Sequence, residues 1–282
     1  MLKWAGGKTQ LLGEILPLLP ERVNTYYEPF MGGAAVFFEL AAQNRFKKAV
    51  LSDKNRELVA VYRALQEDVE KLISRLTDMQ DQHSEAFYYA VRASTPKDRF
   101  ARAARLMYLN KTGYNGLYRV NSKGGFNVPF GRYKNPKICD AGNLRACALL
   151  LQKAEIRNLD FEEVCREAKK GDAIYLDPPY VPVSKTSNFT SYHADSFALE
   201  EHERLSKLFS QLARRGISAV LSNSSTPETQ ALYEDFRYRL VRARRSINSN
   251  GGGRGVVEEL LVSTKDLKHP SKKSASRKSR RL

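Results

Sequence analysis

Residues 173–180 read AIYLDPPY. Ala173, Ile174, Tyr175 and Leu176 form a short apolar run, Asp177 ends it, and Pro178-Pro179 forces the chain out in an extended form. A continuous apolar run of this length, bounded by turn residues, is the pattern of a strand buried on both faces. Six more β-prone runs punctuate the chain, at 26–30, 49–53, 154–160, 217–223, 238–246 and 256–263. Helical patterns separate several of them, at 34–44, 144–152, 199–214 and 227–236. This alternation predicts an α/β fold: a Rossmann-like, mixed but mostly parallel sheet with helices on both faces.

The segment 56–145 interrupts the alternation. It reads as helical to Asn110 and then turns loop-rich, TGYNGLYRVNSKGGFNVPFGRYKNP. We expect an inserted, mainly helical domain with a β-hairpin or long loop, flanked by the two halves of the sheet domain at 1–55 and 146–265. Residues 266–282, rich in Ser, Lys and Arg, are expected to be a disordered basic tail.

The 282 residues are 42 % hydrophobic, enough for a sizeable core, and no apolar run approaches the ~18 residues of a membrane helix. No secretory signal opens the chain, so we expect a soluble, cytoplasmic protein. Cys139, Cys147 and Cys165 are odd in number and stand in no C-x-x-C, which argues against a disulfide framework or zinc ribbon. His83, His193, His202 and His269 form no metal-ligand pair, and no metal is expected. The formal net charge is +16; residues 265–282 supply +7, and the rest still carries +9. A basic body as well as a basic tail favours a polyanionic partner, most simply nucleic acid. A membrane surface fits less well, because the tail lacks apolar residues to insert.

In an open α/β sheet, ligands bind just beyond the carboxyl ends of the strands. There Asp177 supplies an acceptor, the prolines leave carbonyls free to accept, and Tyr180 offers a flat aromatic face. The set suits a planar group with an amino function, such as adenine with its N6 amine. Two acceptors on its N–H bonds would stabilise the positive charge that develops when this poor nucleophile attacks. The plain alternative is a strand-ending turn. In YYEPFMGGAAVFFEL (26–40), Gly32-Gly33 follows a β-prone run and permits close approach of a ligand to the backbone, or is simply a tight βα turn. Asp53, about 20 residues on, is placed either to hold ribose hydroxyls or to cap a helix. The opening MLKWAGGKTQLL contains Gly-Lys-Thr but is no P-loop: the first glycine of that motif would fall on Leu2. It is either a helix-entry turn or another kind of ligand-binding turn.

Taken in order, KWAGGKTQLL, EPFMGGAAVFFEL, LSDKN, LNKTGYNGLYRVNSKGGFNVPFGRY, NLDF, YLDPPY and FTSYHADSFALEEHERL resemble the Dam-type, D12 class adenine-N6 DNA methyltransferases. The resemblance spans residues 1–264. It implies S-adenosylmethionine as cofactor, held by Trp4, Gly6, Lys8, Phe30, Gly32, Gly33, Asp53, Asp160, Phe161 and Asp177. Lys8 would offer a cation to its carboxylate, Asp53 would hold the ribose, and Asp160-Phe161 the cofactor's adenine. It implies Asp177, Pro178 and Tyr180 as catalytic residues acting on a flipped-out adenine in double-stranded DNA. The insertion would be the target-recognition domain, reading GATC through Tyr114, Asn115, Leu117, Arg119 and Pro129. Arg119 suits guanine O6 and N7, Leu117 and Pro129 the thymine methyls, and Tyr114 a wedge in the stack. Tyr114-Asn115-Gly116 would also make a good tight turn in its own right. Arg99, Arg102 and Arg105, three apart on one predicted helix, form either a phosphate-facing stripe or a solvated face. The chain is expected to act as a monomer or to associate weakly.

Cytosine-C5 methylation is excluded, since no cysteine follows a proline. Cytosine-N4 methylation would use similar acceptors. Protein glutamine methylation fits the charge and the insertion less well. A non-catalytic DNA-binding regulator would explain the charge but not the intact Asp177-Pro178-Pro179-Tyr180 set.

Overall fold

A computed structural model of the chain describes residues 1–4, 6–181, 197–244 and 256–267. A 3-10 turn, Lys8–Leu11, leads into α1 (Leu12–Ile15) and a second such turn, Leu16–Leu18. There follow β1 (Val23–Glu28), α2 (Ala35–Ala42), β2 (Phe46–Ser52), α3 (Arg56–Glu67), α4 (Val69–Asp81), α5 (Glu85–Ala93) and α6 (Arg99–Thr112). After a turn at Tyr114–Gly116 come α7 (Ala141–Leu151), β3 (Ala154–Arg157), α8 (Phe161–Arg166) and β4 (Ala173–Leu176). The chain ends with α9 (Leu199–Arg214), β5 (Ser218–Ser224), α10 (Pro227–Leu232), β6 (Phe236–Arg244) and β7 (Val256–Leu267).

All seven expected strands are present, in one sheet of order β3-β2-β1-β4-β5-β7-β6. The first five are parallel, and β7 runs antiparallel to both β5 and β6. Successive side chains of the central strands enter opposite cores, as the two-residue period requires. Tyr26, Ala49, Leu51, Ala173, Tyr175 and Val220 join one apolar cluster with α2, α3, α6 and α7. Tyr27, Val50, Ile174, Leu176, Ala219 and Leu221 join a second with α8 and α9. Burial on both faces is why these strands read as unbroken apolar runs.

The helices between residues 56 and 112 share the first cluster with the sheet. Arg63 and Gln66 of α3 tie it to this region by donating to the carbonyls of Ile156, Leu151 and Ala154. Asn55 caps α3 by accepting from the backbone of Glu57 and Leu58. The loop after α6 folds back as a minimal hairpin, with antiparallel pairing at Gly113–Phe130 and Val120–Phe126. Asn121 closes its tip by accepting from the backbone of Lys123 and Gly125.

Three boundaries differ from expectation. α10 stops at Leu232 and Phe236 already opens β6. The run at 154–160 yields a strand only to Arg157; Asp160 instead caps α8 in a capping box with Glu163. α8, six residues long, was not anticipated. The basic tail from 268, the motif residues 189–196 and positions 245–246 lie outside the described residues. Among the described residues, no helix is long and apolar enough to cross a membrane.

Candidate active site

The strand order reverses between β1 and β4, and the crevice beyond their carboxyl ends is where open α/β sheets take ligands. β1 delivers Phe30 and the glycine turn to this edge. Gly32 has φ +44°, and a Cβ there would stand 3.0 Å from the indole of Trp4. The opening segment therefore lies directly on the turn. Gly32 N–H donates to Asp53 Oδ2 at 3.1 Å, and Asn55 N–H to Asp53 Oδ1 at 2.9 Å. Asp53 thus fastens the end of β2 to the turn after β1, while the cap of α3 falls to Asn55. Burial pushes the Asp53 carboxyl up, against these two N–H donors.

β4 delivers Asp177. Its Oδ1 receives the ammonium of Lys8 at 2.8 Å and the hydroxyl of Ser222 at 2.9 Å. Lys8 is only 3 % exposed. Its ammonium also donates to the Gly6 carbonyl at 2.6 Å and lies 4.7 Å from the centre of the Tyr180 ring. Lys8 was expected near a cofactor carboxylate; here it bridges the opening segment to Asp177 at the end of β4. Burial raises the Asp177 carboxyl, and Lys8 and Ser222 work against it.

Tyr180 donates its hydroxyl to Glu259 Oε2 at 2.5 Å. Glu259 sits on β7 opposite Ser224 of β5 and is 4.0 Å from the Lys8 ammonium. Behind Asp177, Ser222 is backed by the Tyr175 hydroxyl at 2.8 Å. Deeper still, Glu28 accepts from Tyr26 at 2.7 Å and from Phe37 N–H at 3.0 Å. Burial pushes its carboxyl up to about 8, against the Tyr26 bond and with the charge of Asp177.

Phe30 stacks on Phe161 with ring centres 5.3 Å apart, and Phe197 meets Phe30 edge-on. Asp160 is more heavily engaged than expected. It caps α8 and receives Lys54 at 3.0 Å and Arg204 at 2.6 Å. Burial alone would raise its carboxyl, but the cap and the two cations hold it low.

On the hairpin, Tyr114, Arg119 and Pro129 are exposed, while Asn115 and Leu117 are half-buried. Tyr114 N–H donates to the Pro129 carbonyl at 2.9 Å, which sets the two side by side. Asn115 has φ +53°, so the tight-turn reading of this triplet holds whatever else it does. Arg119 is braced by Asn127, whose side-chain and backbone oxygens accept at 2.7 and 2.9 Å. The arginine stripe of α6 is spent within the protein. Arg99 pairs with Glu67, Arg102 with Glu57, and Arg105 donates to the carbonyls of Val91 and Arg92.

Sequence reading missed Ser222, Glu259, Tyr118 and Asn110. Glu259 left a trace, a charge inside the apolar run at 256–263. The ring of Tyr118 lies 5.4 Å from Trp4, and the others act through partners distant in sequence.

A mostly parallel α/β sheet with an acidic, aromatic loop beside a glycine turn is the frame of a Rossmann-like protein with a ligand crevice at its switch point. The family model of the D12 class N6 adenine-specific DNA methyltransferases matches residues 4–247, and the chain belongs to that family. It is 44 % identical over 268 residues to the Type II methyltransferase M1.LlaDCHI of Lactococcus lactis subsp. cremoris, covering 92 % of this chain and 93 % of that protein. It is 43 % identical to the Type II methyltransferase M.MjaIII of Methanocaldococcus jannaschii, covering 93 % and 97 %. It is 37 % identical to the DNA adenine methylase of Escherichia coli K12, covering 93 % of each.

Proposed function

We propose that this DNA adenine methyltransferase uses S-adenosylmethionine to methylate N6 of an adenine turned out of double-stranded DNA, within GATC. The observation that carries the reading is the juxtaposition of Asp177, Pro178 and Tyr180 with the glycine turn after β1. The crevice suits the cofactor's chemistry. Gly32 and Gly33 lie beneath Trp4, the half-buried Phe30 offers a face for a purine with the buried Phe161 stacked behind it, and Asp53 stands at the end of β2 for a diol. Gly6, Lys8 and Asp160 complete the set, Lys8 being the cation available to a carboxylate. When bound, S-adenosylmethionine supplies an electrophilic methyl on a sulfonium.

The chain's own work is to present the amine. Chemistry on a stacked adenine is blocked, so the base must leave the duplex. Tyr180 receives it by stacking. The Pro178 carbonyl and Asp177 accept its two N–H bonds. Lys8 and Ser222 engage Asp177 Oδ1, and the Tyr180 hydroxyl also acts on this carboxylate. The acceptors draw the nitrogen lone pair out of the ring and stabilise its growing positive charge. The remainder is positioning.

We assign DNA reading to the insertion, 56–145, and within it to Tyr114, Asn115, Leu117, Arg119 and Pro129. Residues 113–137 contain Arg119, Lys123, Arg132, Lys134 and Lys137, all exposed, and no acidic residue. Such a single-sign surface suits a phosphate backbone. The test is labelled methyl transfer to two duplexes identical except for GATC in one and GTTC in the other. Transfer to the first alone, recovered as N6-methyladenine, is expected. Equal transfer to both, or transfer to neither, would overturn GATC as the site; a randomly methylated plasmid digest would then separate another recognition site from an inactive binding protein.

A further inference from the structure

We propose that Asn110 and Tyr118 join the DNA-reading loop to the cofactor-binding segment, so that occupancy of one is transmitted to the other. The inference rests on the function proposed above. Asn110, in the last turn of α6, is 1 % exposed and contacts both parts. Its Oδ1 accepts from Lys3 N–H at 2.8 Å, and its Nδ2 donates to the Lys3 carbonyl at 2.6 Å and to the Gly116 carbonyl at 3.1 Å. One side-chain amide thus holds the opening segment through its oxygen and its nitrogen, and the reading loop through the same nitrogen.

Gly116 also lies against the Lys3 side chain. Gly116 has φ +64°, and a Cβ there would fall 2.9 Å from Lys3 Cβ. Two residues further along, Tyr118 lies against Trp4, ring centres 5.4 Å apart, and against Phe126 at 5.9 Å. Trp4 in turn rests on Gly32, whose N–H is held by Asp53. Tyr118 directly precedes Arg119, the guanine-reading residue braced by Asn127. A continuous packed path therefore runs from the base reader through Tyr118 and Trp4 to the glycine turn. A shift of the loop on DNA must move Trp4 or break this packing, because a close-packed contact transmits displacement. Coupling between two sites is reciprocal, so each ligand should tighten the other by the same factor.

Trp4 is the single tryptophan of the chain, so its emission reports on the junction itself. Binding of S-adenosylhomocysteine to the full chain would be measured by calorimetry, with and without a saturating GATC duplex, and Trp4 emission followed in parallel. In the wild type, the duplex is expected to tighten binding about fivefold or more and to shift Trp4 emission before any S-adenosylhomocysteine is added. In Tyr118→Leu, a half-buried and mild change, the factor should fall toward one and the shift should vanish. Affinity for S-adenosylhomocysteine alone should stay within about threefold, where mere structural damage would weaken it. Asn110→Ala should act the same way, and if it fails to fold, Tyr118→Leu alone decides. A folded Tyr118→Leu that keeps the wild-type factor would overturn the inference, as would a wild-type factor of one despite tight binding of both ligands. Failure of the wild type to bind S-adenosylhomocysteine at all would instead overturn the reading of the cofactor site, and the inference with it.

Discussion

Lys8 carries its charge into a site with almost no access to water. A buried ammonium persists only when its partners replace the lost hydration. Asp177 and the Gly6 carbonyl do so directly, and the Tyr180 face and Glu259 complete the surroundings. Glu259 has a second effect, since it fixes the Tyr180 hydroxyl and so the plane on which the base would stack. Glu259→Gln removes a charge-assisted bond while keeping the shape. We expect kcat to fall about tenfold or more, with duplex affinity nearly unchanged. Single-turnover kinetics beside a binding isotherm would check this, and a variant weakened only in binding would move Glu259 to the DNA contacts. Asp177→Ala differs in kind: it removes the acceptor, so transfer should be lost while binding persists. Asp177 and Tyr180 were legible in sequence because they are contiguous and follow an apolar strand. Glu259 was not, because its partner lies on another strand and only the sheet order brings the two together.

At the scale of elements, the strands were the most legible feature. Each central strand carries an apolar run whose alternate side chains enter opposite cores, so the runs announce themselves. α8 escaped because six residues cannot display a helical period; its only signature was the Asp160–Glu163 capping box. The α6 arginines left two readings open for the opposite reason. Their regular spacing was plain, but Glu67, Glu57 and the carbonyls that satisfy them belong to other helices. β1 has its own consequence for stability. It ends on Glu28, whose carboxyl burial raises from an ordinary 4.5 to about 8. Between these values the folded chain holds a proton that the unfolded chain has released, so this group makes stability fall as pH rises. His202, lowered to about 4 by burial, acts with opposite sign below pH 6.5, which leaves the range above it for the test. Glu28→Gln keeps an oxygen for Tyr26 and Phe37 and cannot ionise. Its melting temperature should exceed the wild type's by several degrees at pH 9 and by clearly less, though not nothing, at pH 6.5, at roughly 2–4 °C per kcal/mol for a chain somewhat smaller than this. A gap independent of pH would show that Glu28 does not titrate in this range.

The whole molecule separates its charge from its chemistry. The candidate site residues Phe30, Asp53, Asp177 and Tyr180 stand at the carboxyl ends of the strands. The net charge of +16 divides between residues 268–282, with seven Lys or Arg and no acid, and a remainder of +9. Neutralising phosphates releases counterions, so log K falls with log salt in proportion to the phosphates engaged, at about −0.9 for each. A chain ending at Leu267 keeps all of β7 and loses only the basic tail. If the tail lies along the duplex, its removal should flatten the salt slope by several units and weaken binding most at low salt. The GATC-to-GTTC preference should stay as it was, because phosphate contacts hold the duplex without reading it. An unchanged slope would show that the tail does not touch DNA and that the body, chiefly the acid-free stretch 113–137, carries the backbone contacts alone. A flattened slope with a changed preference would mean the tail reaches the bases, which its Ser-, Lys- and Arg-rich composition gives no reason to expect.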